Sequence, residues 1–365
     1  MAFFRVFLRT LGFLSALLIF LIIVNIFVYL SKDFQKNQFS IIDGNVNSDN
    51  IIASINLNGP IFNNSNNVFE SGFYEYINPR NVKSYLEELK KLKIKALIIN
   101  INSPGGTVSA TAELEKIFYE FKNSTNIKIY FFTKEILASG GYWVATSADK
   151  IFASYGSIIG SIGVSGPSWF YYNNPTNISS GILGQSIETK KGIEVFNQNA
   201  GKSKDLFNPY RRPENTEIEH LQNIVNEIYD DFISKVSKSR KIEKSYIKNN
   251  IGALIYSSKQ AKDNFLIDDI LDFESIIKLI LKENKFEDYK IYQNKNKSSL
   301  VENLLVMYKR ETFNFRSYEV ICKNLETSIN LLIPMFLKEC WFRLSGLDPG
   351  FWQSSFYNNY SGIRH

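Results

Sequence analysis

Residues 127–145 read IKIYFFTKEILASGGYWVA, and this stretch decides the fold. The apolar run at 127–132 predicts a buried strand, and a short loop leads from it to Ser139 and two glycines. A helix-compatible run follows, so the serine lies at a strand-to-helix turn where glycine allows another backbone to approach closely. The backbone N–H after Ser139 can then stabilise an oxyanion. A nucleophilic serine and a serine that merely caps a helix fit this stretch equally well.

Strands and helices alternate on both sides of this turn. Residues 96–101 form a near-continuous apolar run, which is typical of a strand covered on both faces. Amphipathic spacing predicts helices at 79–92, 107–121 and 214–241. This alternation predicts an α/β domain with a mostly parallel sheet.

Two glycine-bearing loops follow the carboxyl ends of predicted strands. One is the sequence SPGG at 103–106, and the other contains Ser139. In parallel α/β sheets, sites form beyond the carboxyl ends of the strands. We therefore expect both loops to converge on one rim of the sheet and to form a site there.

The histidine content restricts the chemistry. The chain has two histidines, His220 in a charged helical segment and His365 at the last position. A Ser-His-Asp triad therefore has almost no candidate base, and zinc sites built on histidine pairs are excluded. If Ser139 is a nucleophile, its base is a different type of residue.

Composition excludes few other classes of protein. Of the 365 residues, 44% are hydrophobic, which is enough for a substantial core. The net charge of +6 is mild and dispersed, so we expect no nucleic-acid partner. Cys322 and Cys340 lack metal-ligand spacing, and the sequence leaves open whether they pair.

The amino terminus predicts a membrane anchor. Residues 11–30 form an uncharged run of 20, which matches the thickness of a bilayer. Arg5 and Arg9 precede it, which favours a cytoplasmic amino terminus. A cleaved signal peptide would end in a small-x-small site, which the sequence VYLS at 28–31 lacks. We expect a single-pass signal anchor at 1–35, with the body of the protein outside the cytoplasm.

The remaining boundaries follow from composition. The polar, Asn-rich residues 36–50 indicate a linker, and a charged, Asn-rich stretch begins at 283. We therefore predict one domain over 51–282. A largely helical extension over 283–365 follows, to which the sequence assigns no function.

Several short motifs together resemble the signal peptide peptidase A family, also called protease IV, of Ser-Lys serine peptidases. The resemblance covers roughly residues 51–280. Its motifs are NINSPGG at 100–106, ASGGY at 138–142, GSIIGSIGV at 156–164, GKSKD at 201–205, SKQA at 258–261 and FLID at 265–268. It implies a Clp protease/crotonase-like spiral of ββα units, with a membrane helix in front.

The resemblance also implies a catalytic pair. Ser139 would be the nucleophile and Lys204 the general base, while Ser161 would hold the lysine amine in place. A lysine acts as a base only when neutral, and burial favours the neutral form. Lys202 is the rival base, but the family pattern of glycine, two residues and lysine, starting at Gly201, selects Lys204.

The resemblance further implies an oxyanion hole and a reaction. The N–H of Gly140, with that of Gly105 or Gly106, would stabilise the oxyanion. The reaction would be peptide-bond hydrolysis through an acyl-enzyme, without metal or cofactor. Remnant signal peptides or other membrane-associated peptides would be the substrates.

The short members of this family form homo-oligomeric rings in which the serine and the lysine can come from neighbouring subunits. By resemblance we expect the same here, in the bacterial inner (cytoplasmic) membrane with the catalytic domain extracytoplasmic. Two alternatives stay open. One is a crotonase-like acyl-thioester enzyme that uses the same oxyanion arrangement, and the other is a non-catalytic membrane-anchored scaffold.

Overall fold

The computed structural model describes residues 2–33, 38–63, 76–169, 171, 180–181, 184–185, 200–209, 211–294 and 330–332. The helices are α1 Ala2–Asp33, α2 Pro79–Lys91, α3 Val108–Thr125, α4 Gly140–Ala145, α5 Asn215–Arg240, α6 Lys244–Tyr246 (continued by a π-turn, Ile247–Ile251), α7 Ser258–Asp263 and α8 Phe273–Asn284.

The strands make one large sheet and several small ones. They are β1 Phe39–Gly44, β2 Ile51–Asn58, β3 Ala96–Asn102, β4 Gly105–Thr107, β5 Lys128–Thr133, β6 Ile136–Ala138, β7 Lys150–Ala153, β8 Ile158–Gly160, β9 Ser180–Gly181, β10 Gly184–Gln185, β11 Ile255–Ser257, β12 Asp269–Ile270, β13 Lys290–Asn294 and β14 Asn330–Leu332.

The large sheet confirms the predicted α/β class. Its order is β1-β13-β2-β3-β5-β7-β12, and every neighbouring pair is parallel except β1 with β13. Alternate residues of β3 enter different cores: Leu97, Ile99 and Ile101 join the core that includes α2–α5, and Ala96 and Ile98 face α8. The strand is therefore covered on both faces, as its apolar run predicts.

Short strands between the sheet and the helices produce a repeating unit. The chain runs β3–β4–α3 and then β5–β6–α4, and β7–β8 begins a third unit. β6 pairs in parallel with β8, which pairs with β11 in a separate three-stranded sheet. These repeated ββα units agree with the fold that the motifs imply. They place β4, β6 and β8 beside the carboxyl ends of the large sheet.

The domain boundaries differ from those predicted. The predicted linker at 36–50 contains β1, and the predicted end at 282 falls inside α8. β13 lies beyond that end, yet it pairs with β2 in the large sheet, with Lys290 opposite Ile51. Composition did not predict β13, because this short, mostly polar strand is stabilised by partners that are distant in sequence.

The two ends of the chain bear on three further predictions. Residues 2–33 form α1, but no helix within the described ranges is long and apolar enough to cross a bilayer, so the predicted anchor is not confirmed. Cys322, Cys340 and most of the extension lie outside the described residues. Beyond β13, the described part of the extension is β14, which is a strand rather than the predicted helix because it pairs with β4.

Candidate functional site

Ser139 has a strained backbone and an unpaired hydroxyl. It connects β6 to α4 with φ 53° and ψ −120°, a conformation that costs on the order of 1–3 kcal/mol for a residue other than glycine. The residue is 1% exposed, and its Oγ has no hydrogen-bond partner among the described residues. Its side chain makes no capping hydrogen bond to α4, although it occupies the N-cap position. These properties are unusual for a structural serine and typical of a functional one.

The backbone around Ser139 is held from two sides. Its N–H donates to the carbonyl of Gly160 at 2.8 Å, at the end of β8. Its carbonyl accepts from the N–H of Trp143 at 2.9 Å, the first such bond of α4. The indole of Trp143 stacks on Phe232 of α5, with 4.9 Å between ring centroids. The strained turn is therefore fixed to both a strand and a packed helix.

A half-buried ion pair, which was not predicted from the sequence, supports α4. Glu115 of α3 accepts hydrogen bonds through Oε2 from Trp143 Nε1 at 2.8 Å and from Lys235 Nζ at 2.7 Å. The signal was present in the sequence, since Glu115 interrupts the apolar inner side of α3. Lys235 Nζ is therefore directed at the Glu115 carboxylate, and the contacts of this pair tie α4 to α3 and α5.

The two glycine-bearing loops converge, as expected. Ser103 donates its N–H to the carbonyl of Ile136 at 2.8 Å and accepts from the N–H of Ala138 at 3.1 Å. A Cβ added to Gly141 would lie 3.0 Å from the Cβ of Ser103, so α4 packs closely on this loop. The SPGG loop and the Ser139 turn therefore share one rim of the sheet.

The two glycines of the SPGG loop differ in what their N–H groups contact. Gly105 has φ 111° and donates its N–H to Ser103 Oγ at 3.2 Å. Ile61 donates its N–H to the Gly105 carbonyl, and its own carbonyl accepts from the N–H of Thr107. Because these groups alternate along a strand, the N–H of Gly106 points to the opposite side of β4. A Cβ on Gly106 would lie 2.0 Å from the Ile61 carbonyl oxygen, which excludes every other residue. Of the two glycines, Gly106 is thus the one whose N–H is turned away from Ser103 and Ile61.

Ser161 lies beside Ser139 at the end of a paired strand. β6 and β8 pair with Ala138 opposite Gly160, so the two serines follow equivalent positions. Ser161 also has a positive φ of 53°, is 4% exposed and donates its N–H to the Leu254 carbonyl at 2.8 Å. The fold thus brings Ser139 and Ser161 together with the loop that contains Gly106, and Gly140 begins α4.

Lys204 does not join this cluster within one chain. It is exposed in the turn that follows Gly201, as is Lys202, and its N–H bonds the Gly201 carbonyl at 3.3 Å. Since Ser139 Oγ has no partner among the described residues, no hydrogen bond joins it to Lys204 here. The burial expected for Lys204 is therefore not met within a single chain.

The Lys204 turn is fastened to the beginning of α5. Arg211 Nε lies 2.6 Å from Asp205 Oδ2, and Arg211 Nη2 lies 2.8 Å from Glu217 Oε1 on α5. Phe207 of the same turn packs on Trp169 with 5.2 Å between ring centroids. α5 packs on Trp143 of α4 through Phe232, which is about 22 Å further along the helix than Glu217 at 1.5 Å per residue. The fold therefore attaches the Lys204 turn to the beginning of α5, whereas a later part of this helix packs on α4.

Asn102 is a positioning residue whose role was not predicted from the sequence. At the end of β3, its Oδ1 accepts hydrogen bonds from Thr133 Oγ1 at 3.1 Å, from the Lys134 N–H at 3.1 Å and from the Glu135 N–H at 3.0 Å. These bonds hold the loop that leads into β6 and Ser139. Its signal was its place in the NSPGG motif, at the carboxyl end of a strand.

We expect Asn102→Ala to lower kcat/KM about 10- to 100-fold, because the loop before Ser139 loses its attachment. The free energy of unfolding should fall by about 1–3 kcal/mol, since the buried Thr133 hydroxyl and two backbone N–H groups lose their acceptor. Asn102→Asp keeps an acceptor oxygen and should recover most of the activity. Assays of all three proteins with one peptide substrate, together with thermal unfolding, test this role. Equal losses in the Ala and Asp variants would contradict it.

Metal ligands are not grouped near this site. Within the part of the chain that the structure describes, no three His, Cys, Asp or Glu side chains are placed to hold a metal ion. His220 is exposed on α5, within the charged helical segment predicted from the sequence.

Comparison with known proteins places the chain in a family. The profile of peptidase family S49 matches residues 121–287, which include Ser139, Ser161 and Lys204. A protein named signal peptide peptidase SppA from Enterococcus faecium is 30% identical over 254 residues, 68% of either chain. A protein of Methanocaldococcus jannaschii named as a protease is 33% identical over 194 residues, 53% of this chain and 58% of its own. Protease 4 of Haemophilus influenzae is 30% identical over 186 residues, 50% of this chain and 28% of its own.

The second and third relatives are thus matched over less than two thirds of their own length, whereas the Enterococcus protein is matched over two thirds of both chains. This last match, with the family profile, confirms the resemblance drawn from the motifs. The chain belongs to peptidase family S49 and is similar to its SppA-type proteases.

Proposed function

We propose that this S49-family protease hydrolyses peptide bonds through an acyl-enzyme formed on Ser139. The observation that carries the proposal is the buried, strained and unpaired hydroxyl of Ser139 beside the SPGG loop. A nucleophile without a hydrogen-bond partner is free to meet a carbonyl carbon and a base. Family membership supports the same reaction class.

The reaction follows from the groups around this hydroxyl. Ser139 Oγ attacks the scissile carbonyl and passes its proton to a neutral amine, which we assign to Lys204. The N–H groups of Gly140 and Gly106 stabilise the oxyanion of the tetrahedral intermediate. The protonated amine then gives its proton to the leaving amine, and a water molecule hydrolyses the ester in a second, equivalent step. Ser161, next to Ser139, would orient the amine.

We propose that Lys204 reaches Ser139 of a second copy of the chain. The Lys204 turn lies about 22 Å along α5 from the contact with α4, so a site completed by its own lysine would require the packed α5 to move. Large apolar side chains are exposed near this turn, with Phe207 at 37% and Ile218 at 49% exposure. Assembly would cover them and would bury the amine, which favours its neutral form.

We further propose that α1 anchors the protein in a bacterial cytoplasmic membrane with the body outside the cytoplasm. Support comes from the uncharged run at 11–30 behind Arg5 and Arg9, and from the exposed apolar side chains of α1, such as Phe13 and Leu18. Remnant signal peptides would then be nearby substrates. After an alkaline wash, the full chain should stay with the membranes, and a chain that begins at residue 38 should not. Release of the full chain would contradict the anchor.

The peptidase proposal is tested with the purified full chain, a denatured protein and a fluorogenic peptide. We expect cleavage of both substrates, and a serine-directed covalent inhibitor should modify Ser139, as read by mass spectrometry of the tryptic peptide. Binding of coenzyme A in calorimetry without any peptide cleavage would contradict the proposal and favour acyl-thioester chemistry. Absence of both cleavage and labelling would favour a scaffold.

A further inference from the structure

A short segment of the carboxyl-terminal extension lies on the loop that contains the proposed oxyanion donor. β14 pairs antiparallel with β4, with Leu332 opposite Gly105, Leu331 opposite Gly106 and Asn330 opposite Thr107. β4 is therefore not a free edge in this structure. It is the middle strand between Ile61 on one side and β14 on the other.

The directions of the backbone N–H and C=O groups of β4 show which of them β14 pairs with. Ile61 donates to the Gly105 carbonyl at 2.8 Å and accepts from the Thr107 N–H at 3.0 Å. Since these groups point toward Ile61, the N–H and carbonyl of Gly106 point toward Leu331. The backbone of Leu331 thus faces the same N–H that we assign to the oxyanion hole.

This edge is also next to the nucleophile. α4, which begins directly after Ser139, packs against both β4 and β14. Ser103, two residues before β4 begins, bonds β6 immediately before Ser139. A peptide that is to be cut at Ser139 has to pass this place in an extended form, and pairing with an exposed strand edge is a common way to hold such a peptide.

We propose that residues 330–332 are a built-in competitor that occupies the peptide groove of the S49 site, an inference that rests on the proposed function. The segment has the chemistry of the expected substrate, since residues 329–333 read INLLI and carry no charge. Being on the same chain, it acts at a high effective concentration, so even weak pairing keeps out dilute substrates. The extension thus has a function, which is to keep the protease closed to all but high local concentrations of extended apolar peptide.

The test compares proline variants of the full chain. Leu331→Pro removes the N–H that faces the Gly106 carbonyl, and proline is poorly tolerated within a paired strand. We expect about a 10-fold or greater rise in kcat/KM for a small peptide, through a lower KM with kcat nearly unchanged. Leu337→Pro, the same exchange outside β14, should behave as wild type. Equal kinetics for all three proteins would overturn the inference.

A second measurement uses the segment as a separate molecule. A synthetic peptide of residues 329–334, INLLIP, should inhibit the Leu331→Pro protein competitively, whereas its scrambled sequence should not. Lack of inhibition, or cleavage of the wild-type chain within this segment, would overturn the proposal of a standing competitor. If the Leu331→Pro protein is active and Ser139→Ala removes that activity, the proposed function stands whichever way the comparison falls. If none of the proteins cuts peptide, the proposed function itself fails.

Discussion

Ser139→Ala is expected to remove peptide hydrolysis by at least about 1,000-fold and to leave the fold unharmed. The Oγ of Ser139 is buried and makes no hydrogen bond among the described residues, so its removal costs no interaction in the folded state. Loss of an unsatisfied buried hydroxyl removes a desolvation penalty instead. The melting temperature should therefore stay the same or rise slightly while the activity disappears. Activity assays and thermal unfolding of the same preparation measure both effects.

A matched control lies eight residues further along the chain. Ser147 is also 1% exposed, but its Oγ donates to the Val144 carbonyl at 2.7 Å. Ser147→Ala should keep activity within a few-fold and lose about 0.5–1.5 kcal/mol of stability. We therefore expect the two substitutions to have opposite effects: Ser139→Ala removes activity and keeps stability, whereas Ser147→Ala keeps activity and lowers stability. Full activity in the Ser139→Ala protein would reject Ser139 as the nucleophile.

Lys204→Ala is expected to lower kcat by about 1,000-fold or more, because it removes the amine that we propose as the acceptor of the Ser139 proton. Lys202→Ala is the matched control, since Lys202 is exposed in the same turn, and should change activity only a few-fold. The reverse order of the two effects would assign the base to Lys202. Single-turnover kinetics with a fluorogenic peptide would separate the loss of chemistry from any loss of binding.

Mixing inactive variants tests whether the site is shared between copies. In a random assembly of Ser139→Ala and Lys204→Ala chains, roughly one interface in four joins an intact serine to an intact lysine, so about a quarter of the wild-type activity should return. A mixture of Ser139→Ala with the Ser139→Ala/Lys204→Ala double variant should stay inactive. If the first mixture also stays inactive after co-expression, Lys204 does not act across subunits.

The elements around the site were predictable because their determinants are local. β3, β5 and α2 follow the predicted runs within one or two residues, since apolar periodicity reflects which face of an element is buried. The turn at Ser139 was equally predictable, because a serine followed by two glycines, between a predicted strand and a predicted helix, indicates a strand-to-helix turn. The convergence of the SPGG loop with this turn also followed, because parallel strands end at one edge.

The positions of Asn102, Glu115 and Lys235 could not be predicted in the same way. Their roles depend on hydrogen bonds between elements that are distant in sequence, such as Lys235 of α5 with Glu115 of α3. The same is true of β13, which completes the sheet beyond the predicted end of the domain. A short polar strand has no signal of its own, because its stability comes from the neighbours that accept it.

The sequence by itself determined the α/β class, the nucleophile candidate with its glycine-flanked bend, and the lack of a suitable histidine to serve it. These depend on residue type and on spacing within a few positions. Only the tertiary structure decided that Lys204 is held at the far end of α5 and that residues 330–332 lie on β4. Both depend on packing and strand pairing between segments that are remote in sequence. The free energy of such contacts cannot be inferred from a local sequence pattern.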